Sequence, residues 1–303
     1  MKRAIALLLI ACMFMCFTGC EALDYKEAMD YYEAGEYAKA LEIYRSLGDF
    51  ADSAAMAELC WQKADYEKAE KCFAEGSYRQ ALDLYQGLKM YKDSPMKAIV
   101  CQYRIGLACI EAGAYEEALS WLEPLGSYED CQHQVQVTKW LWLLNAIKTK
   151  GGQMELPASS SGGSTFFRAN EDGSVEVAYE NDAQLLGAPY EIRFSMTIQQ
   201  GVRETSYQAK YVSSSTSKIQ EEAAGTVDVA MFSATSKIPV DTFTQTITDP
   251  EGVETVSTNT TDALMMELAL AEARAAIAEG VPVLLKQTGV AMTLKELGFA
   301  SLA

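Results

Sequence analysis

A nine-position pattern occurs three times between Tyr25 and Cys131, and no other feature of the sequence restricts the fold as strongly. Each copy reads Gly-x-Tyr-x-x-Ala-Leu, continues with large apolar residues, and closes with aromatic-x-Asp-Ser or aromatic-x-Asp-Cys. The matched positions are Gly35, Tyr37, Ala40, Leu41, Tyr44, Leu47, Phe50, Asp52 and Ser53; Gly76, Tyr78, Ala81, Leu82, Tyr85, Leu88, Tyr91, Asp93 and Ser94; and Gly113, Tyr115, Ala118, Leu119, Leu122, Leu125, Tyr128, Asp130 and Cys131. Because residues three or four apart share a helix face and glycine interrupts helices, the pattern predicts three helical hairpins.

The segments before each glycine also agree, which predicts long first helices. Ten residues before the glycines stand Tyr25, Tyr66 and Tyr103, and seven before them stand Ala28, Ala69 and Gly106. Small residues at these spacings let two helices approach closely. The predicted N-caps are Asp52 or Ser53, Asp93 or Ser94, and Asp130, and Pro95 suits a first helical position. We therefore predict helices over 54–75 and 95–112, and a further helix over 131–149 that caps the array.

These motifs resemble tetratricopeptide repeats, and the resemblance covers about residues 22–131. It departs in length, because the family unit has about 34 residues with a Pro near its end. The glycines here lie 41 and then 37 residues apart, and Asp-Ser stands near the Pro position. The resemblance implies an all-α helical-hairpin solenoid whose first helices line a groove for an extended or helical peptide.

The groove implied by the resemblance is rich in aromatic side chains. The matching positions are Tyr25, Met29, Tyr32, Tyr66, Glu70, Phe73, Tyr103, Leu107 and Ile110. Aromatic residues supply large contact area at low entropic cost, which favours an apolar partner segment. The alternative is that the tyrosines only pack neighbouring helices. The Asn and Lys residues with which some family members clamp a C-terminal carboxylate do not stand at these places.

The N-terminus has the pattern of an export signal. Lys2 and Arg3 precede an apolar run over 4–17, which is too short to span a membrane as a stable helix. The stretch Phe17-Thr18-Gly19-Cys20 resembles a bacterial lipoprotein lipobox, which implies a signal peptide at 1–19 and acylation of Cys20 by chains such as palmitate. The protein would then be held at the extracytoplasmic face of the cell membrane by its lipid anchor alone. An ordinary secretory signal cleaved near Gly19 is the alternative.

Two features mark the end of the repeats, which we place at residues 20–150. The helix over 131–149 is apolar around much of its surface, which predicts a second covering partner besides the third hairpin. Trp140 and Trp142 are the candidate contacts, either with the C-terminal domain or in a homodimer. Residues 151–165 are rich in Gly and Ser and predict a flexible linker.

The remaining residues, 166–303, predict an α+β domain that resembles no family. Apolar and polar residues alternate around Val177, Phe194 and Tyr207, which is typical of antiparallel strands with one solvated face. We predict a meander of six or seven strands, an amphipathic helix over 263–277 that ends near Gly280, and a short helix over 293–297. The whole chain is thus a multidomain protein, with an all-α TPR-like half and an antiparallel sheet carrying C-terminal helices.

Candidate chemistry is sparse. The formal charge of -17 argues against nucleic acid as a partner, and His133 is the one histidine. Of the five cysteines of the repeats, Cys72 matches Cys109 and Cys60 matches Cys101, which predicts packing in the core, with one or two disulfides as the alternative; metal-ligand spacing such as C-x-x-C is absent from the sequence. Ser215-Thr216-Ser217-Lys218 has the S-x-x-K form but no S-D-N or K-T-G partner. Asn170-Glu171-Asp172-Gly173 fits a hairpin turn better than a calcium loop. We predict no catalytic residue, metal or cofactor.

Two functional hypotheses remain from the sequence. The first is a lipid-anchored extracytoplasmic scaffold whose repeats bind another envelope protein or peptide. The second is a carrier of small apolar ligands in the C-terminal domain, with the repeats as a stalk or dimerisation module. Inward aromatic residues that fill the space behind the sheet (Tyr190, Phe194, Tyr207 and Tyr211) would argue against the carrier.

Overall fold

The computed structural model describes residues 21–156, 160, 162–185, 188–229, 232, 238–257, 264–293 and 295–298. The proposed signal peptide 1–19 and Cys20 lie outside the described residues. The chain forms two compact units, unit 1 (Met1–Cys131) and unit 2 (Gln132–Ala303).

Unit 1 is entirely helical in its described part. Its helices are α1 (21–33), α2 (Tyr37–Leu47), α3 (Ser53–Ala74), α4 (Tyr78–Gly87), α5 (Ser94–Glu111) and α6 (Tyr115–Leu122), followed by a 3-10 turn (Glu123–Leu125). The long helices predicted over 54–75 and 95–112 are confirmed to within one residue at each end. Consecutive helices from α2 to α6 pack against one another.

The turns of unit 1 repeat as closely as its sequence does. At the three matched glycines, Gly35, Gly76 and Gly113, the chain takes φ values of +78°, +77° and +73°. A second left-handed residue precedes the Asp of each copy: Ala51, Lys92 and Glu129, with φ of 51°, 48° and 46°. Non-glycine residues rarely adopt this conformation, so its recurrence shows that the three loops share one backbone geometry.

The Asp of each loop has a different role from the predicted one. Asp52 and Asp93 occupy the N-cap positions of α3 and α5, but neither side chain caps its helix. The carboxylate of Asp52 instead accepts a hydrogen bond from Tyr25 Oη at 2.5 Å, and Tyr66 Oη donates in the same way to Asp93 at 2.6 Å. The two carboxylates thus bind a tyrosine of the preceding first helix and make no cap bond.

Unit 2 is an antiparallel sheet with one helix at each end of its sequence. Helix α7 (Cys131–Thr149) precedes strands β1 (Gln153–Leu156), β2 (Ser164–Ala169), β3 (Val175–Leu185), β4 (Ala188–Ile198), β5 (Glu204–Ser214), β6 (Lys218–Asp228), β7 (Thr242–Thr248) and β8 (Glu254–Ser257), and helix α8 (Leu264–Thr288) follows. The eight strands lie in sequence order, each paired antiparallel with the next. The meander and the α+β class are therefore confirmed, with eight strands in the sheet where six or seven were expected.

The predicted linker contains the first strand of the sheet. Gly151 and Gly152 have φ of +94° and +84° and turn the chain directly from α7 into β1. Met154 and Leu156 are buried while Gln153 and Glu155 are exposed, so β1 follows the period of a half-buried strand. Glycine here makes a tight turn, and the flexible-linker prediction for 151–165 is wrong at these positions.

Helix α7 also differs from its predicted role as a cap. Four of its side chains, Trp140, Leu143, Leu144 and Ile147, belong to the hydrophobic core of unit 2. The indole N–H of Trp140 donates to the carbonyl of Gly173, in the β2–β3 turn, at 3.0 Å. Trp140 therefore contacts the C-terminal residues, which was the first of its two predicted alternatives, but α7 itself belongs to unit 2 and not to the repeats. Trp142 is partly buried against the same core.

Helix α8 runs past its predicted end at Gly280 and contains Pro282. A Cβ atom at Gly280 would lie 2.9 Å from Leu156 Cδ1, so glycine allows the helix to approach the sheet closely and does not end it. Val281 and Leu284, which follow the glycine, are fully buried, and their packing stabilises the helix beyond Gly280. Where a short helix was predicted over 293–297, the described residues 295–298 form a turn.

Candidate functional site

The predicted groove has three rows, each made of residues at matching positions of the three copies. The first row is Tyr25, Tyr66 and Tyr103, and contacts within unit 1 fix these side chains. Each donates its hydroxyl to the Asp that lies 27 residues later, and Tyr103 reaches Asp130 at 2.5 Å. Each ring also meets the aromatic residue of the loop edge-on, at centroid distances of 6.0, 5.8 and 5.8 Å. The hydrogen bond from Tyr66 lowers the pKa of Asp93. These three tyrosines therefore hold the hairpins together.

The second row, Met29, Glu70 and Leu107, is more variable. Met29 is 37% exposed and Leu107 is half-buried. Glu70 accepts a hydrogen bond from Tyr85 Oη at 2.5 Å and pairs with Lys97 at 3.2 Å. The row thus offers two apolar side chains on either side of an anchored carboxylate.

The third row, Tyr32, Phe73 and Ile110, packs at the glycine turns. Tyr32 and Phe73 each meet the Tyr of the next helix edge-on, with ring centroids 5.5 Å apart. The ammonium of Lys63 lies 4.4 Å from the Tyr32 ring centroid, and that of Lys97 lies 5.0 Å from the Phe73 centroid. Cations over these faces keep the rings oriented.

The buried tyrosines Tyr44 and Tyr85 differ in the partner of their hydroxyl groups. Both are fully buried at equivalent positions, but Tyr85 donates to Glu70 whereas Tyr44 Oη has no partner among the described residues. Burial raises the pKa of Tyr44 to about 12. We expect Tyr85→Phe to lower the free energy of unfolding by about 1–2 kcal/mol, and Tyr44→Phe to leave it unchanged or raise it by up to about 1 kcal/mol. Urea denaturation of both variants checks this, and equal losses would contradict it.

A surface cavity of 490 Å³ lies between the second and third hairpins of unit 1. It is lined by the start of α4, the last turns of α5 and the start of α6, with Ile105, Ala108, Cys109 and Ala112 contributed by α5. Ile105 and Cys109 are buried at its floor, at 4% and 7% exposure. The groove prediction did not include this place.

A difference between the second and third copies of the repeat indicates this cavity in the sequence. The second copy has Lys71 and Glu75 at the positions that Ala108 and Ala112 hold in the third. Replacing long side chains with alanine opens the space between hairpins. A position-by-position comparison of side-chain size, which a search for shared residues does not make, would have found it.

The rim of the cavity carries an ion pair. Arg79 pairs with Glu117 across the two hairpins, and its guanidinium lies 5.5 Å from the centroid of the Trp121 ring. The bond to Arg79 lowers the pKa of Glu117, so both groups are charged at neutral pH. The cavity therefore combines an apolar floor with a charged but balanced edge.

The inward aromatic residues of unit 2 fill the space behind the sheet. Tyr190, Phe194, Tyr207 and Tyr211 are all 8% exposed or less. They stack in pairs across β4 and β5, Tyr190 on Tyr211 at 6.0 Å and Phe194 on Tyr207 at 5.8 Å. This packing argues against the hypothesis of an apolar carrier. A cavity of 510 Å³ is lined instead by charged and small residues of β2 to β7, where Arg168 pairs with Glu176.

Polar side chains join α8 to the sheet at two places. Glu272 accepts hydrogen bonds from Tyr179 Oη and Asn181 Nδ2, both at 2.6 Å. Glu221 of β6 is 3% exposed and accepts a hydrogen bond from the backbone of Met266 in α8 and another from Gln245 Nε2 of β7, the latter at 3.0 Å; burial raises the pKa of Glu221. These bonds give partners to Tyr179, Asn181 and Glu221 Oε1, whereas Glu221 Oε2 is buried without a hydrogen-bond partner among the described residues.

Arg274 of α8 is the second buried ionisable side chain of unit 2 with unsatisfied atoms. Its side chain is 6% exposed, and Nε and Nη1 have no hydrogen-bond acceptor among the described residues. Burial lowers the pKa of the guanidinium. An uncompensated charge in such a place costs several kcal/mol, so Arg274 reduces the stability of the fold as it stands.

The cysteines and the histidine that the sequence offered as candidate chemical groups do not form a site in the described residues. Cys60, Cys72, Cys101, Cys109 and Cys131 are free and buried. Burial raises the pKa of Cys101 to about 11, which keeps this thiol protonated at neutral pH. His133 is exposed. Within the described ranges, no group of three or more His, Cys, Asp or Glu residues could hold a metal ion, and no helix has the length and apolar character to cross a membrane.

Comparison with protein-family models, with curated proteins and with solved structures finds no match to this chain.

Proposed function

We propose that this protein is a lipid-anchored, extracytoplasmic scaffold that binds another envelope protein through a TPR-like array of helical hairpins. The observation that carries the proposal is the 490 Å³ cavity between the second and third hairpins. Its apolar floor and its paired Arg79 and Glu117 suit a partner segment that inserts an apolar side chain and leaves polar groups at the rim.

The repeated hydrogen bonds support this proposal by holding the first helices in place before a partner binds. Tyr25, Tyr66 and Tyr103 each bridge a first helix to the loop that starts the next one. Association loses less conformational entropy when the binding surface is already ordered. Met29 and Leu107 then extend the contact surface along the first helices.

In-cell cross-linking tests the proposed surface. A photoreactive amino acid at Ala108 or Leu107 is expected to give one discrete adduct with another envelope protein in cells that produce the full chain. The matched control places the same group at the exposed Glu116 of α6, where we expect at least tenfold less of that adduct. Equal adducts at Glu116 and Ala108, or none at Ala108 and Leu107, would contradict the proposed surface.

Cell fractionation tests the proposed anchor separately. Since no other apolar segment is proposed to insert, Cys20→Ala is expected to move the protein from the membrane fraction to the soluble extracytoplasmic fraction. Cys60→Ala, which changes a buried cysteine of α3, is the control and should stay with the membrane. Retention of Cys20→Ala in the membrane would rule out the lipid anchor.

A further inference from the structure

The unpaired guanidinium of Arg274 lies on the face of α8 that packs against the sheet. Its neighbours one turn away, Leu270 and Ile277, are 3% and 0% exposed. The phenol of Tyr207 interacts electrostatically with the guanidinium, but burial raises the pKa of Tyr207 to about 12, so this group is neutral at physiological pH. Tyr207 donates its own hydroxyl to the carbonyl of Pro239 at 2.7 Å. The charge of Arg274 is therefore not balanced by Tyr207.

The carboxylate of Glu221, which is also buried near α8, contacts the helix too far from Arg274 to neutralise the charge of the guanidinium. Glu221 accepts a hydrogen bond from the backbone of Met266, at the start of α8. Met266 and Arg274 are eight residues apart, which corresponds to about 12 Å along a helix. Neither Nε nor Nη1 of Arg274 reaches an acceptor in the described residues. Two donors on one buried cation thus have no acceptor within the part of the chain that the structure describes.

We propose that Arg274 is the recognition group of a binding site in unit 2 for a small monocarboxylate. A carboxylate presents two acceptor oxygens to a guanidinium and carries one negative charge, which one arginine neutralises. A phosphate dianion would leave excess charge in an apolar environment. The stacked pairs of Phe194 on Tyr207 and Tyr190 on Tyr211 occupy the space behind the sheet, so the ligand has a short apolar body.

Thermal unfolding of the full chain in sodium propionate tests the site. The midpoint of unit 2 is expected to rise and saturate with propionate, beyond the change in sodium chloride of equal ionic strength, and not to rise with the neutral analogue propionamide. Arg274→Met should unfold at a higher temperature than wild type in carboxylate-free buffer, since it removes an uncompensated charge. It should also weaken the apparent affinity for propionate at least tenfold.

Two further variants separate this site from general salt effects. Arg203→Met removes an exposed arginine that pairs with Asp228 at 2.8 Å, and it should keep the wild-type response to propionate. Arg274→Lys keeps the charge but not the planar pair of donors, and it should bind propionate about tenfold more weakly. The proposal is overturned by a wild-type midpoint that does not respond to propionate, by equal responses of wild type and Arg274→Met, or by equal stabilisation with inorganic phosphate. A lower midpoint of Arg274→Met without carboxylate would show that the protein already supplies an acceptor, and would also overturn it.

Discussion

Trp140→Ala is expected to lower the free energy of unfolding of unit 2 by about 3–5 kcal/mol and to leave unit 1 unaffected. Trp140 is 5% exposed in the core of unit 2, and its indole N–H donates to Gly173. The substitution therefore removes a large buried surface and leaves the Gly173 carbonyl without its donor. A loss of this size is a large fraction of the stability of a typical domain.

Hydrogen exchange measured by mass spectrometry locates this loss. In Trp140→Ala, the amides of β2 and β3 should exchange faster at constant pH, and those of α3 and α5 should keep their protection. Trp121→Ala, which changes a half-buried tryptophan of α6, is the control and should show the opposite pattern. Faster exchange in α5 and α6 of Trp140→Ala, with β2 and β3 unchanged, would show that α7 caps the repeats as first predicted.

The hairpins of unit 1 could be predicted because their signals are local. A glycine at each turn and apolar residues three or four apart define a helix pair without knowledge of the rest of the chain. The role of Asp52 could not be predicted in this way. Its partner Tyr25 lies 27 residues earlier, and a bond over that distance depends on how the helices pack. A sequence pattern shows that Asp begins a helix but not which donor it receives.

The errors in unit 2 have a related cause. An apolar helix such as α7 must be covered, but its own sequence does not say by which element. Gly151 and Gly280 were interpreted from composition as a linker and a helix end, whereas one makes a tight turn and the other a close helix-sheet contact. The cavity between the hairpins arises from Ala108 and Ala112, and its volume exists only after α4, α5 and α6 are packed.

Gly106→Ala is expected to destabilise unit 1 by about 2 kcal/mol, although alanine is the better helix former by about 1 kcal/mol. A Cβ atom at Gly106 would lie 2.6 Å from Leu122 Cγ. The first two copies have alanine at this position, Ala28 and Ala69, and they tolerate it because a tyrosine stands where the third copy has Leu122. A flat ring leaves room for a methyl group that the branched side chain of leucine excludes. Gly106 and Leu122 are thus a compensating pair.

Restoring the pattern of the first two copies should therefore rescue the variant. We expect Gly106→Ala with Leu122→Phe to recover most of the lost stability, with a coupling free energy of about 1–3 kcal/mol in a double-mutant cycle. Phe is preferred to Tyr because the acceptor used by Tyr85 is Glu70, and Leu107 stands at the equivalent position.

Urea denaturation of wild type, both single variants and the double variant measures the coupling. Gly87→Ala is the matched control, because Gly87 is the last residue of α4 and a Cβ atom there meets nothing within 4 Å. It should raise the free energy of unfolding by about 0.4–1 kcal/mol, as expected where only the unfolded chain loses freedom. If Gly106→Ala stabilised the protein as Gly87→Ala does, or if the two changes at Gly106 and Leu122 were additive, their contact would not account for the glycine. A coupling free energy that favours the double variant would instead show that glycine at position 106 makes room for the side chain of Leu122.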